Sequence, residues 1–188
     1  MRRLKIGIVD LVTGGPDSAL WTRLMQPNFA SIMPQVIGVW CEEAGHDVRF
    51  ACYTGGEDLT RELPAECDVL FVASYTQSAQ LAYALANIYR GRGVVTVLGG
   101  SHARCYPEDA ARYFDYVLGF TDRATVLELL RDPTPQRTGL RLAAPRQPSH
   151  LPGIAQRWKF IEPTIAKTPV LKLVPVIGSF GCPYTCSF

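Results

Sequence analysis

The chain has 188 residues, of which 47% are hydrophobic, enough for one well-buried domain of ordinary size and a further segment. Its 19 basic and 17 acidic residues nearly cancel and form no long run of one sign, so the charge pattern argues against binding to nucleic acid or anionic lipid. No stretch approaches the ~20 apolar residues of a membrane span, and no secretory signal precedes the six scattered cysteines. We therefore expect a cytoplasmic protein with a small-molecule partner.

Up to about residue 131, short β-rich runs alternate with helical patterns, which is typical of a parallel sheet covered by helices. The predicted strands, in chain order, are Leu4–Leu11, Asp47–Ala51, Val69–Ala73, Val94–Leu98 and Tyr116–Leu118. The predicted helices are Ser31–Ala44, Gln77–Tyr89, Pro107–Tyr113 and Ala124–Arg131. Five strands in this alternation predict a flavodoxin-like, Rossmann-like sheet of order 2-1-3-4-5 over residues 1–131, with helices on both faces.

One of these helices, Gln77–Tyr89, has the strongest helical pattern of the chain. The apolar residues that recur at helical spacing and form one stripe are Leu81, Ala84, Leu85 and Ile88.

The composition changes after Arg131. Residues 132–168 begin with DPTPQRTGLRLAAPRQPSHLPG, which has five prolines and little apolar periodicity and therefore predicts an extended linker. From Pro169 strand character returns in VLKLVPVIG, and the loop SFGCPYTCSF follows at once. We predict a strand at Val170–Ile177 and interpret residues 169–188 as the start of a second, incomplete unit.

The most specific motif is GCPYTCSF, residues 181–188. It resembles the CxxxCxxC motif of the radical S-adenosylmethionine superfamily, in the form GCPYxCSFC that many cobalamin-dependent members show. The resemblance implies a 4Fe-4S cluster held by three thiolates, with the fourth iron open to chelate S-adenosylmethionine. It also implies that Val170–Ile177 is the first strand of a catalytic barrel.

Only Cys182 and Cys186 of that motif are present, because the third cysteine would follow Phe188. We expect these two metal ligands to hold no intact cluster by themselves. A CxxxC pair also has a structural interpretation, since free cysteines are common packing residues. The four other cysteines show no metal-ligand spacing, and we interpret them as core or loop residues.

The segment from Asp68 to Phe120 resembles the later half of cobalamin-binding domains that are fused to radical enzymes. Hydroxyl groups after the third strand can reach a nucleotide tail at the carboxyl edge of the sheet. Glycines after the fourth strand have no side chain that would block a dimethylbenzimidazole tail there. The cofactor contacts that this resemblance implies are Thr13, Ser74, Tyr75, Thr76, Gly99, Gly100, Ser101, His102 and Gly119. Taken singly, each of these residues is more often part of a turn or a helix cap.

Two departures from the cobalamin pattern stand out. Gly119 is followed by Phe-Thr-Asp where the family more often has an acidic GEGE-type turn. Asp10 and Gly15 match the outer positions of DxHxxG, the motif that supplies a histidine to cobalt, but Val12 stands at the histidine position. We therefore expect a displaced benzimidazole and a cobalt face without histidine, covered by the first loop or by Tyr75.

The resemblance implies the cobalamin-binding N-terminal region of a radical S-adenosylmethionine enzyme, whose parent is a methyltransferase or a related radical enzyme. This chain is then expected to bind cobalamin, while a C-terminal barrel supplies the 4Fe-4S cluster, S-adenosylmethionine and the site for an unidentified substrate. Two alternatives stay open. The domain could be a non-catalytic cobalamin sensor or carrier, or a scaffold that has lost cobalamin.

Overall fold

A computed structural model of the chain describes residues 2–12, 30–55, 57–167 and 170–178. The strands are β1 Lys5–Leu11, β2 Asp47–Tyr53, β3 Val69–Ser74, β4 Val95–Gly99, β5 Tyr116–Leu118 and β6 Leu140–Leu142. They form one sheet of order β2-β1-β3-β4-β5-β6, and every neighbouring pair is parallel. The predicted α/β class, the Rossmann-like parallel sheet and the order of its first five strands are confirmed.

Seven helices connect or follow these strands in the described residues. They are α1 Ile32–Glu43, α2 Leu59–Glu62, α3 Ala79–Arg90, α4 Ser101–Cys105, α5 Pro107–Ala110, α6 Arg123–Arg131 and α7 Ile154–Ala166, and a 3₁₀ turn at Thr76–Ser78 precedes α3. None of these helices is long and apolar enough to cross a membrane.

The strands are buried on both faces, which explains their nearly continuous apolar sequences. On one face, Ile6 and Ile8 of β1 belong to a core shared with α1 and α6. On the other face, Val9 and Leu11 belong to a core shared with α3. Successive residues of a strand point to opposite faces, so β1 serves both cores.

The face that α3 buries differs from the apolar stripe of Leu81, Ala84, Leu85 and Ile88. The side chains that α3 buries are Ala79, Ala82, Tyr83, Leu85, Ala86 and Tyr89, whereas Ile88 is about half exposed. The polar residues Gln80 and Asn87 are exposed together with Ile88, so this side of the helix faces solvent.

The predicted count of five strands is also wrong, because β6 adds a sixth strand beside β5. It pairs in parallel with Tyr116↔Leu140 in register, within the segment that we predicted as a linker. Leu140 and Arg141 are exposed, so this edge strand lacks the apolar run by which buried parallel strands are found in a sequence.

The same segment contains α7, which packs against α1. An added Cβ atom on Gly38 of α1 would lie 2.8 Å from the Phe160 ring, so the glycine allows this close approach. Arg157 is buried between the helices and donates to Gln35 Oε1 at 2.6 Å and to the Pro152 carbonyl at 3.1 Å. The linker is therefore not extended throughout.

Residues 170–178 form neither a helix nor a strand. The strand predicted at Val170–Ile177 is absent from the described residues, and a barrel at this point stays a prediction, as do the domain boundaries at 131 and 168.

Candidate functional site

A cavity of about 710 Å³ opens at the carboxyl ends of β1, β3, β4 and β5, and we call it the carboxyl-edge cavity. It lies on the sheet face that α1 and α6 cover, because its inner wall is made by core residues of that face, Ile8, Phe71, Ile37 and Leu118. Its size is that of a small-molecule site, for which volumes of roughly 300–1,000 Å³ are usual. Six residues predicted from sequence line it: Ser74, Tyr75, Gly99, Gly100, Ser101 and Gly119.

The floor of the cavity contains a row of residues that crosses three strands. Asp10 of β1 is in register with Ala73 of β3, and Ala73 is in register with Gly99 of β4. Ala73 and Gly99 have almost no side chain, so they form a shallow trough beside the Asp10 carboxyl group. Because parallel strands lie about 4.8 Å apart, the trough spans roughly 10 Å from Asp10 to Gly99.

Gly99 and Gly100 serve different purposes. An added Cβ atom on Gly99 would meet no atom within 4 Å, so this glycine leaves open space above the sheet. Gly100 has φ +93° and ψ −172°, and an added Cβ atom there would lie 2.7 Å from the Ser74 carbonyl oxygen. Gly100 is therefore required by the backbone, which adopts a conformation that is essentially restricted to glycine.

We expect Gly100→Ala to destabilise the protein by about 2–3 kcal/mol, from backbone strain and the contact with Ser74. Urea unfolding followed by circular dichroism measures this, with Gly153→Ala as the control because a Cβ atom on Gly153 meets nothing closer than 3.9 Å. Equal stability of the two variants would contradict the conclusion that the backbone requires a glycine at position 100. Gly100 is accordingly unsuitable for testing ligand binding.

Asp10 is the buried acid of the cavity. Only 1% of its surface is exposed, and its Oδ2 accepts a hydrogen bond from the backbone N–H of Ser31, the residue that precedes α1. Burial raises the pKa of Asp10 to about 6, although its hydrogen bonds with Ser31 favour the ionised form. Asp10 can therefore hold or release a proton near neutral pH, inside a largely apolar cavity.

His102 and Thr76 are not among the residues that line the cavity. His102 is buried and contacts the Tyr83 hydroxyl through Nε2 at 2.7 Å and Thr76 Oγ1 through Nδ1 at 3.4 Å. Tyr83 donates its single hydroxyl proton to Asp109 at 2.6 Å, so Nε2 of His102 must donate to the Tyr83 oxygen and Nδ1 must accept. Burial lowers the pKa of His102, in keeping with a neutral ring that joins the loops after β3 and β4.

The rim of the cavity combines aromatic and cationic groups. The Arg104 guanidinium lies over the Phe120 ring, 5.2 Å from its centroid, and Tyr75 is half exposed nearby. Pro175 and Ile177, from the last described segment, also contribute to the lining.

Sequence reasoning missed several lining residues, chiefly Asp10, Ser31, Arg104, Phe120 and Pro175. Asp10 carried a usable signal, since an acid at the end of an otherwise apolar strand is unusual. Arg104 and Phe120 lie within two residues of the predicted positions His102 and Gly119, whereas Ser31 and Pro175 come from distant points of the chain.

The remaining predicted site residues, Thr13, Cys182 and Cys186, lie outside the described residues. Within the described ranges, no group of three or more His, Cys, Asp or Glu side chains is arranged to hold a metal ion. Four cysteines there are free thiols, and Cys41 and Cys52 are buried, as expected for packing residues.

No known family model matches the chain. The chain is similar to bacteriochlorophyllide d C-8(2)-methyltransferase from Chlorobaculum tepidum, with 32% identity over 124 residues. The match covers 64% of this chain but 27% of that protein, so the chain spans about a quarter of the length of the relative that it matches.

Proposed function

We propose that this chain is the cobalamin-binding region of a radical S-adenosylmethionine methyltransferase. The observation that carries the proposal is the carboxyl-edge cavity, which lies where the strand order of the sheet reverses and where open parallel sheets bind ligands. Residues at the carboxyl ends of β3 and β4 that the cobalamin resemblance singled out, Ser74 and the Gly99–Gly100 pair, line it together.

The cavity fits a flat heterocycle. The trough over Ala73 and Gly99 leaves space for a ring on the sheet, and the inner wall of Ile8, Phe71 and Leu118 offers an apolar surface. A dimethylbenzimidazole tail is a flat, apolar ring system, so it needs both an open space of this kind and an apolar wall. Cobalamin, when bound, would supply a cobalt that carries a methyl group.

Within this proposal, the residues that contact cobalamin directly are Ser74, Tyr75, Gly99, Ser101 and Gly119, and Thr13 contributes from the first loop. Gly100 and His102 act by holding the loops in place. Cys182 and Cys186 would be ligands of a 4Fe-4S cluster that binds S-adenosylmethionine in the full-length parent. The name of the relative adds support for methyl transfer, and the substrate of this chain's parent is an unidentified small molecule.

We expect the chain to retain hydroxocobalamin through gel filtration at close to one equivalent, with an absorption spectrum that shows displacement of the benzimidazole from cobalt. Cobinamide, a corrinoid that lacks the nucleotide tail, should bind at least tenfold more weakly, because it cannot fill the cavity. If the chain binds neither corrinoid, it is a scaffold and the proposal is wrong. Equal affinity for both would disprove the tail's place in the cavity.

A further inference from the structure

We infer that Asp10 is the polar anchor of the carboxyl-edge cavity and binds the basic nitrogen of an aromatic heterocycle by sharing one proton with it. The inference rests on the proposed function, for which the heterocycle is the displaced benzimidazole of cobalamin. It assigns to this chain a specificity-determining residue that acts on the tail of the ligand.

The position of Asp10 supports this role. The Asp10 carboxyl group ends the trough formed by Ala73 and Gly99, in a row fixed by the strand register. A two-ring heterocycle that lies along this trough of roughly 10 Å brings its edge to the Asp10 carboxyl group. Asp10 lines the cavity although it is almost completely buried, and the hydrogen bond that its Oδ2 accepts from the Ser31 N–H holds the carboxyl group at the end of the trough.

The chemistry of the pair requires a proton between them. An ionised carboxylate and an uncharged aromatic nitrogen are both acceptors, so they repel when they face each other in a dry cavity. With one proton present, either the Asp10 hydroxyl donates to the nitrogen or the ring N–H donates to the carboxylate. The pKa of Asp10, raised to about 6 by burial, makes this proton available near neutral pH.

The other titratable groups that face this region keep their charge over the relevant range. Cys52, beside Asp10 on β2, stays a neutral thiol because burial raises its pKa. Glu57, after β2, has a pKa of about 2 and stays ionised, and Lys167 after α7, which contacts Glu57, stays protonated because its pKa is raised. The Arg104 guanidinium on α4 is the other charged group of the lining. Among the described residues, Asp10 is therefore the titrating group of the cavity near pH 6.

The pH dependence of binding follows. Above about pH 6 free Asp10 is ionised and the benzimidazole is uncharged, so binding takes up one proton. The affinity for cobalamin should then fall about tenfold per pH unit from pH 6.5 to 8.5. Cobinamide has no benzimidazole, and its affinity should not change with pH.

The test compares wild type with Asp10→Asn by titrating hydroxocobalamin and cobinamide from pH 6 to 8.5. The asparagine amide donates to the nitrogen at every pH and its oxygen still accepts from Ser31, so the variant should bind cobalamin with an affinity that stays constant. Identical cobalamin profiles for wild type and variant would overturn the inference and leave the proposed function intact. Failure of wild type to bind cobalamin at any pH would overturn both.

A second measurement needs no variant and so holds even if Asp10→Asn does not fold. Calorimetry of wild type at pH 7.5, in buffers with different heats of ionisation, should show an uptake of close to one proton per cobalamin bound and none per cobinamide bound. An uptake near zero for cobalamin would overturn the inference.

Discussion

The variant Gly99→Leu should lose at least about 100-fold in affinity for cobalamin while the sheet stays folded. A leucine side chain at this position projects from the end of β4 into the trough, where an added Cβ atom meets no protein atom within 4 Å. The backbone of Gly99 does not have the positive φ of Gly100, so a leucine is compatible with it. The side chain therefore takes the space of the heterocycle without straining the protein.

The matched control is Gly153→Leu, which adds the same side chain to an exposed glycine outside the cavity. Both variants should keep their helical circular dichroism, with melting temperatures within roughly 5 °C of wild type. Isothermal titration with hydroxocobalamin then reports on the cavity alone. Unchanged affinity in folded Gly99→Leu would mean that the tail follows another path.

The second large effect concerns stability. The variant Gln35→Leu should lower the free energy of unfolding by about 2–3 kcal/mol, because it removes one of the two acceptors of a buried guanidinium. Arg157 is 4% exposed and donates to Gln35 Oε1 at 2.6 Å, and burial already lowers its pKa. The ionised side chain would lose this partner without gaining water.

The double variant Gln35→Leu/Arg157→Met should recover more than half of that loss, since it removes the buried charge together with its partner. A control on the same helix is Glu43→Gln, which breaks an exposed ion pair with Arg123 and should cost less than about 1 kcal/mol. Urea unfolding measures the free energy of unfolding of all three variants. If the double variant is less stable than Gln35→Leu by itself, the cost does not come from an unpaired charge.

Local sequence patterns were sufficient to predict the first five strands of the sheet and their order. Residues such as Ile6, Ile8, Val9 and Leu11 are apolar on both faces of a strand, and such runs alternating with helices have essentially one solution, a parallel sheet covered on both sides. On α3, the apolar stripe of Leu81, Ala84, Leu85 and Ile88 lies to one side of the face that is buried, which includes Ala82, Ala86 and Tyr89 and packs into the core of the sheet.

The linker shows the opposite case. Its strand β6 exists because the β5 edge offers unpaired backbone groups, and its helix α7 follows Gly153 and packs where Gly38 lets Phe160 approach. The partners of β6 and α7, which are β5 and α1, lie outside these segments in the sequence, so no local pattern indicates either element. The proline content after Arg131 predicted an extended linker and gave no sign of β6 or α7.

For the site, the sequence by itself determined the residue types at the ends of β3, β4 and β5, because turns after parallel strands all reach the same edge of the sheet. Only the tertiary structure separated Gly99, which leaves space, from Gly100, which the backbone requires, since this depends on a contact with Ser74 in another strand. It alone also placed Asp10 in the row with Ala73 and Gly99 and buried its carboxyl group beneath α1. Register and burial arise between segments distant in the chain, and they decide which polar side chain faces the cavity and which proton it can hold.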